Sequence, residues 1–287
     1  MGQGDASSDY VVFWNEVMVP KFQRWKHIVV DGLSHHSERV FPGLEVGPGD
    51  RVLDVGCGFG DTAILLARRV GPTGSVLGLD CCEAFLADGH RDAAAAGLTN
   101  VDFVLADVES YPFQPEFDFC FSRFGTMFFA NPVAALRNMR SSLRPGGIMT
   151  MIVWRDLAEN EVFALPKAVV RRFLPPPGDE ARSCGPGPFS MADPDIVRQQ
   201  LRIAGYEPPS FERIDAPILV GSDLADAVRF QLELGPAGEI MREAGALATD
   251  LRPQIVAALE AALAPFQTSE GVAMASGSWK VTARNPG

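Results

Sequence analysis

Positive charge, histidine, tyrosine and long apolar runs are all in short supply in this chain, and each shortage excludes something. With 25 lysines and arginines against 36 aspartates and glutamates, the formal net charge is −11. That balance lacks the basic footprint on which phosphate-backbone binding depends, so a nucleic-acid partner is excluded. No apolar run approaches the length of a bilayer span, which leaves no membrane-spanning segment. The opening Met1-Gly-Gln-Gly-Asp-Ala6 carries no basic-then-apolar signal pattern, and Ala6 stands where N-myristoylation needs Ser or Thr. A cytoplasmic location is the expectation. Five cysteines, odd in number and scattered, read as reduced intracellular thiols rather than a disulfide framework. None of the three tyrosines (Tyr10, Tyr111 and Tyr206) has a lysine four residues on, so the Tyr-x-x-x-Lys pair usual in nicotinamide-dependent oxidoreductases is missing. Lysine is rare, 4 against 21 arginines, which with the many alanines points to a GC-rich bacterial source.

What is present is an ordinary globular composition, 47% hydrophobic and 21% charged, able to bury a sizeable core. At 287 residues the chain is long for one doubly wound domain and short for two, which suggests one core with helical additions. From Arg51 onward short apolar runs alternate with helical stretches, the pattern of βαβ units on a parallel sheet. The runs fall at about residues 52–55, 76–79, 101–105, 117–121 and 148–153, and the helices between them at about 61–70, 83–96 and 133–143. Gly97 and the Pro145-Gly-Gly147 turn stop their helices. Right-handed crossovers of this kind place ligands at the carboxyl edge of the strands.

That edge begins with Val52-Leu-Asp-Val-Gly-Cys-Gly-Phe-Gly-Asp61. Gly56, Gly58 and Gly60 allow a sharp turn and a close approach of backbone to ligand. Asp80, at the end of the next apolar run, is placed to take ribose hydroxyls, so the two features together indicate a nucleoside-containing cofactor. The spacing is G-x-G-x-G, not the dinucleotide G-x-G-x-x-G, and Asp61 stands where the last glycine should be. A carboxylate there would repel a pyrophosphate but tolerate an ammonium group.

The stretch Asp54 to Gly60 therefore resembles the Asp-x-Gly-x-Gly-x-Gly loop of the class I S-adenosylmethionine-dependent methyltransferases. The resemblance extends over about residues 40–155, through Asp107-Val108, Ser122-Arg-Phe-Gly125 and Leu143-Arg-Pro-Gly-Gly147. It implies an α/β, Rossmann-like fold: a doubly wound, mostly parallel seven-stranded sheet. It also implies S-adenosyl-L-methionine as cofactor and S-adenosyl-L-homocysteine as product. In that family an acid at the place of Asp107 takes the adenine amino group, and the backbone of the next residue, here Val108, addresses the ring. The cofactor set is then Asp54, Gly56, Cys57, Gly58, Gly60, Asp80, Cys81, Asp107, Val108 and Ser122, with Cys81-Cys82 lining the adenine pocket and no metal expected.

Methyl transfer from a sulfonium needs alignment and desolvation more than a catalytic triad. The segment after the fourth strand lacks the Asn/Asp-Pro-Pro-aromatic motif of amino-directed nucleic-acid enzymes, and no Pro-Cys nucleophile of the cytosine-C5 kind occurs. A small, hydrophobic or aromatic acceptor methylated at O, C or N remains, similar to quinone and polyketide methyltransferases. Arg123, Phe124, Met127, Trp154, Arg155, Trp14 and Trp25 are its candidate contacts, the arginines for a carboxylate or phenolate or else for structural pairing with Asp107 or Glu109. His27, His35 and His36 are candidate bases, of which at most one could serve. Residues 1–45 are read as an N-terminal helical lid, broken at Pro20, with a loose polar start. Residues 46–221 and 272–287 are read as the core, including a proline- and glycine-rich insertion at about 156–192. Residues 222–271 are read as a helical insertion serving as acceptor cap or dimer surface, in a monomer or homodimer. Competing readings are a thiol S-methyltransferase on the same scaffold, a nicotinamide-dependent oxidoreductase, or a non-catalytic cofactor-binding module.

Overall fold

The structure, a computed structural model, describes residues 9–176, 178 and 185–287. The polar start (residues 1–8) and the middle of the proline–glycine stretch (177 and 179–184), both read above as loose, lie outside these residues. Five parallel strands come first: β1 (Arg51–Val55), β2 (Ser75–Asp80), β3 (Val101–Leu105), β4 (Phe117–Arg123) and β5 (Leu143–Trp154). They are followed by β6 (Ser210–Gly221), β7 (Gln267–Thr268) and β8 (Gly271–Arg284). The order across the sheet is β3-β2-β1-β4-β5-β8-β6, with β8 antiparallel to both of its long neighbours. This is the expected doubly wound fold with eight strands instead of seven. The extra one is the two-residue β7, which a tight turn at Ser269-Glu270 folds back onto the start of β8.

Three helices line the first crossovers: α4 (Asp61–Val70), α5 (Glu83–Ala95) and α6 (Pro132–Ser142). The apolar face of α4, with Ala63, Leu66 and Ala67 essentially inaccessible, shows why an 8-residue apolar-rich run makes a core-facing helix here. The Pro145-Gly-Gly147 turn is present, but as a bulge inside β5: Leu143 pairs with Phe117 and Ile148 with Phe119. Pro217 sits within β6, which is tolerable because β6 is the last strand of the sheet.

Helices flank the sheet on the approach to the site. The N-terminal segment runs as α1 (Asp9–Phe13), a π-helical turn (Trp14–Met18), α2 (Val19–Arg24) and α3 (Lys26–Val40). Its break is at Trp25 (φ −104°, ψ 19°), not at Pro20, because Pro20 occupies the first turn of α2, where no amide N–H is required. After β5 come α7 (Glu161–Val170) and α8 (Pro194–Ala204), the latter capped by Asp193, whose side chain accepts from Asp195 N. Between β6 and β7 lie α9 (Leu224–Glu233) and α10 (Gly235–Leu263). Two helices with a break before Pro253 were expected in the stretch that α10 occupies. The kink is instead at Gly245 (φ 52°, ψ −118°), a conformation open to glycine, and Pro253 is carried inside the second segment.

Candidate active site

The carboxyl ends of β1 to β4 converge on one cavity of about 440 Å³. The glycine loop forms its floor. Gly56 and Gly58 both have left-handed φ (64° and 53°), and a side chain at Gly56 would meet Gly125 Cα at 3.1 Å. Two backbones touch there, which explains glycine on both sides. Gly60 (φ 79°) opens α4 and abuts the Phe103 ring, 2.8 Å from where a Cβ would stand, so it shapes the loop from below the cavity lining.

Asp80 is wired into this loop. Its Oδ2 accepts from Gly58 N (2.9 Å) and its Oδ1 from Cys82 N (3.0 Å), and it lies on the cavity wall. Burial pushes its carboxyl up from the ordinary range, against the pull of those two bonds. Asp107, on the loop after β3, holds its own turn through Glu109 N (2.9 Å) and lies on the cavity wall with Val108. Cys57 and Cys81 line the wall too. The Cys81 and Cys82 sulfurs are 3.9 Å apart and sit with an Asp80 oxygen within a 4.8 Å cluster, but both Asp80 oxygens already hold backbone amides.

Beneath the floor Asp54 is fully buried. Thr62 Oγ1 donates to its Oδ2 (2.6 Å), while Oδ1 has no partner among the described residues. Burial pushes Asp54 up to about 7, with the Thr62 bond opposing. Ser122 Oγ, at the end of β4, is likewise buried and unpartnered. Neither side chain lies on the lining itself.

Arg123 and Asp61 face each other across the cavity edge at 2.7 Å, and Arg123 also donates to Ser37 Oγ (3.0 Å). The pairing is thus with Asp61, and neither Asp107 nor Glu109 takes part. Beyond it the cavity becomes an aromatic chamber. Phe124 carries the one positive φ among non-glycine residues described (56°) and stacks on Trp154, ring centroids 3.9 Å apart. A strained aromatic residue on a ligand-cavity wall is the kind of backbone that persists where function requires it. Phe163 meets Trp154 edge-on at 5.2 Å, and Trp14 meets Phe128 at 5.1 Å. Met127 is also on the wall.

The remaining wall comes from distant segments. Tyr10, Trp14, Met18 and Phe22 close it from the N-terminal helices, and Phe230, Leu234, Pro236 and Glu239 from α9 and α10. The two sets are joined by Lys21–Glu239 (3.3 Å) and Arg24–Glu233 (2.8 Å), with Trp25 Nε1 donating to the same Glu233 (3.0 Å).

Several expected residues lie elsewhere. Arg155 is buried in an ion-pair cluster with Asp215 (2.6 Å) and Glu159 (3.3 Å), away from the cavity. Trp25 is buried beside Glu233 and Phe230 and does not reach the lining. His27 is exposed beside Trp25, and His35 Nδ1 hydrogen-bonds to Pro217 O (2.8 Å). His36 is sealed between Ser278 Oγ (2.8 Å) and Ser276 Oγ (2.9 Å), its ring edge-on to Phe124 and Trp154. Burial, followed by the positive Arg123, pushes it down to about 3, so it stays neutral. None of the three histidines lines the cavity. Sequence reasoning missed Tyr10, Thr62, Phe163, Lys167 and Glu239. Only the i, i+4 spacing of Phe163 and Lys167 on α7 hinted that they share a face.

Comparison with known proteins agrees with this geometry. Residues 52–147 match the family model of a methyltransferase domain. The chain is 37% identical over 179 residues to the demethylmenaquinone methyltransferase of Staphylococcus carnosus, covering 59% of this chain and 73% of that protein. It is 36% identical over 136 residues to the Staphylococcus aureus enzyme of the same name, of which it spans 55%. The fold is shared with the YcgJ protein of Bacillus subtilis (TM-score 0.57, 17% identity, 88% of this chain and 99% of that one). It is shared equally with phosphoethanolamine N-methyltransferase 2 of Haemonchus contortus, solved with S-adenosyl-L-methionine (TM-score 0.57, 15% identity, 100% of this chain and 62% of that one). The chain belongs to the class I S-adenosylmethionine-dependent methyltransferases. It is an enzyme of methyl transfer, and among the described residues no helix is long and apolar enough to cross a membrane.

Proposed function

We propose that this chain binds S-adenosyl-L-methionine along the carboxyl edge of β1–β4 and methylates a small, apolar, aromatic acceptor at O, C or N. The observation that carries the reading is one continuous cavity, with acids and a glycine loop at one end and stacked aromatics at the other. When bound, the cofactor supplies an electrophilic methyl group on a sulfonium. Asp80 takes the ribose hydroxyls, and Asp107 the adenine amino group, with Val108 and Cys81 against the ring. The methionine end lies over Gly56 and Gly58, above the buried Asp54, whose charge when ionised favours an ammonium there without touching it. Phe124, Met127 and Trp154 hold the acceptor's apolar body and exclude water, and the N-terminal helices act as lid, with α9–α10 as cap.

The relatives' name supports a quinone-like acceptor, since two of them are demethylmenaquinone methyltransferases. None of the three histidines reaches the wall, so this reading uses no histidine base. The test is calorimetric titration with S-adenosylhomocysteine and with NADH, followed by methyl transfer to a panel of naphthoquinols, phenols and thiols. Micromolar binding of S-adenosylhomocysteine alone and turnover of naphthoquinols or phenols is the expected result. Binding of NADH instead would return the oxidoreductase reading, and turnover of thiols alone the S-methyltransferase one.

A further inference from the structure

The charged groups on the cavity wall are matched with one exception. Arg123 pairs with Asp61, and Glu239 with Lys21 and Arg242. Asp80 and Asp107 accept from backbone amides. Lys167 is on the wall and half-buried, yet no acid among the described residues lies within ion-pair distance of it and it makes no hydrogen bond with its side chain. A half-buried ammonium in an apolar chamber loses hydration without a compensating partner, a cost that persists where a ligand repays it.

Its position says what that ligand offers. Lys167 follows Phe163 by four residues on α7, so the two side chains share one helix face about 6 Å apart along the axis. Phe163 in turn packs edge-on against Trp154, which stacks on Phe124. A flat molecule lying against these rings would present its rim to Lys167. We infer that Lys167 holds an oxyanion on the acceptor, so that the substrate is a flat apolar molecule bearing one anionic or readily ionised oxygen. Lys167 takes over the anion-binding role that the sequence suggested for Arg155. An acceptor entering as its O–H form releases that proton to solvent, and the oxygen keeps the electron pair. This inference rests on the methyltransferase reading of the cavity.

The test uses the full chain saturated with S-adenosylhomocysteine and two probes of one shape, 2-naphthoate and neutral 2-naphthylmethanol. Binding is read by calorimetry and by quenching of Trp14 and Trp154. The wild type should prefer the naphthoate by about tenfold or more, the scale of one charge-assisted hydrogen bond. Lys167→Met should abolish the preference while keeping the alcohol's affinity, and Lys167→Arg should retain most of it. S-adenosylhomocysteine should bind Lys167→Met as it binds the wild type. The inference is overturned if the wild type shows no preference, whether both probes bind equally or neither binds. It is also overturned if Lys167→Met keeps the preference, or loses S-adenosylhomocysteine affinity, which would assign the lysine to the cofactor carboxylate. Failure of the wild type to bind S-adenosylhomocysteine at all would strike the cofactor reading and this inference with it; failure confined to the naphthyl probes strikes this inference alone.

Discussion

Replacing Asp80 by alanine separates the ribose contact proposed for this carboxylate from its structural role. Its oxygens hold Gly58 N and Cys82 N, and ribose hydroxyls would meet the side it turns to the cavity. Two charge-assisted bonds to a ribose are worth about 1.5–3 kcal/mol each, so Asp80→Ala should weaken S-adenosylhomocysteine binding by about 100-fold or more. Stability changes less. Two backbone amides lose their acceptor, at about 1–3 kcal/mol each, but an ill-solvated carboxylate is removed as well, as the upward push on its titration by burial indicates. A net loss of about 1–2 kcal/mol, or about 3–6 °C in Tm, is the expectation. Asp80→Asn keeps the shape and one acceptor oxygen, and should fall between, losing about tenfold in affinity. Calorimetry and thermal melts on the three proteins give both numbers. Wild-type affinity in Asp80→Ala would refute the ribose assignment, however large the change in Tm.

Asp54 and His36 make opposing contributions to pH dependence. The folded Asp54 titrates near 7, above its unfolded value, so the folded state binds the extra proton and stability declines as pH rises from about 4 to about 7. The folded His36 titrates near 3, so the unfolded state binds the extra proton and stability declines as pH falls from about 6.5 to about 3. The two offset one another between about pH 4 and 6.5, and melts of Asp54→Asn and His36→Ala across that window should tilt in opposite directions; parallel profiles would disprove the pairing. With an ammonium over the glycine loop above Asp54, S-adenosylhomocysteine should bind more tightly as pH rises from 6 to 8, by well under about tenfold per unit, and Asp54→Asn should flatten the slope. His36→Ala should cost about 3 kcal/mol by opening a cavity between two serines, yet leave cofactor affinity unchanged, as should His35→Ala; a loss of binding in either would bring histidine back into the site.

The glycine-loop end of the cavity was legible in the sequence because it depends on local backbone geometry. Gly56, Gly58 and Asp80 are close in the chain or follow successive strands, and their spacing is itself the geometry. The aromatic end was legible only in part: Trp14, Arg123, Phe124, Met127 and Trp154 are on the wall as expected, but contacts that depend on distant segments were not foreseen. Arg155 pairs with Asp215 on β6 and not with the nearer-in-sequence Asp107 or Glu109, and His36, one of three candidate bases, is enclosed by Ser276 and Ser278 of β8. Lys167 belongs to no motif and only the packing of α7 puts it on the wall. Helix breaks were misplaced where proline was weighed without position: Pro20 and Pro253 are both accommodated, while Trp25 and Gly245 do the breaking.

The roof of the chamber, where the N-terminal helices meet α9 and α10, is fastened differently from its floor. The floor is sheet and core, but the roof is tied by pairs such as Arg24–Glu233, in which the arginine is 65% exposed. Exposed pairs of this kind are each worth no more than about 1 kcal/mol and weaken with salt. Rising ionic strength should therefore loosen the ion-pair part of this roof while leaving its buried Trp25–Phe230 contact in place.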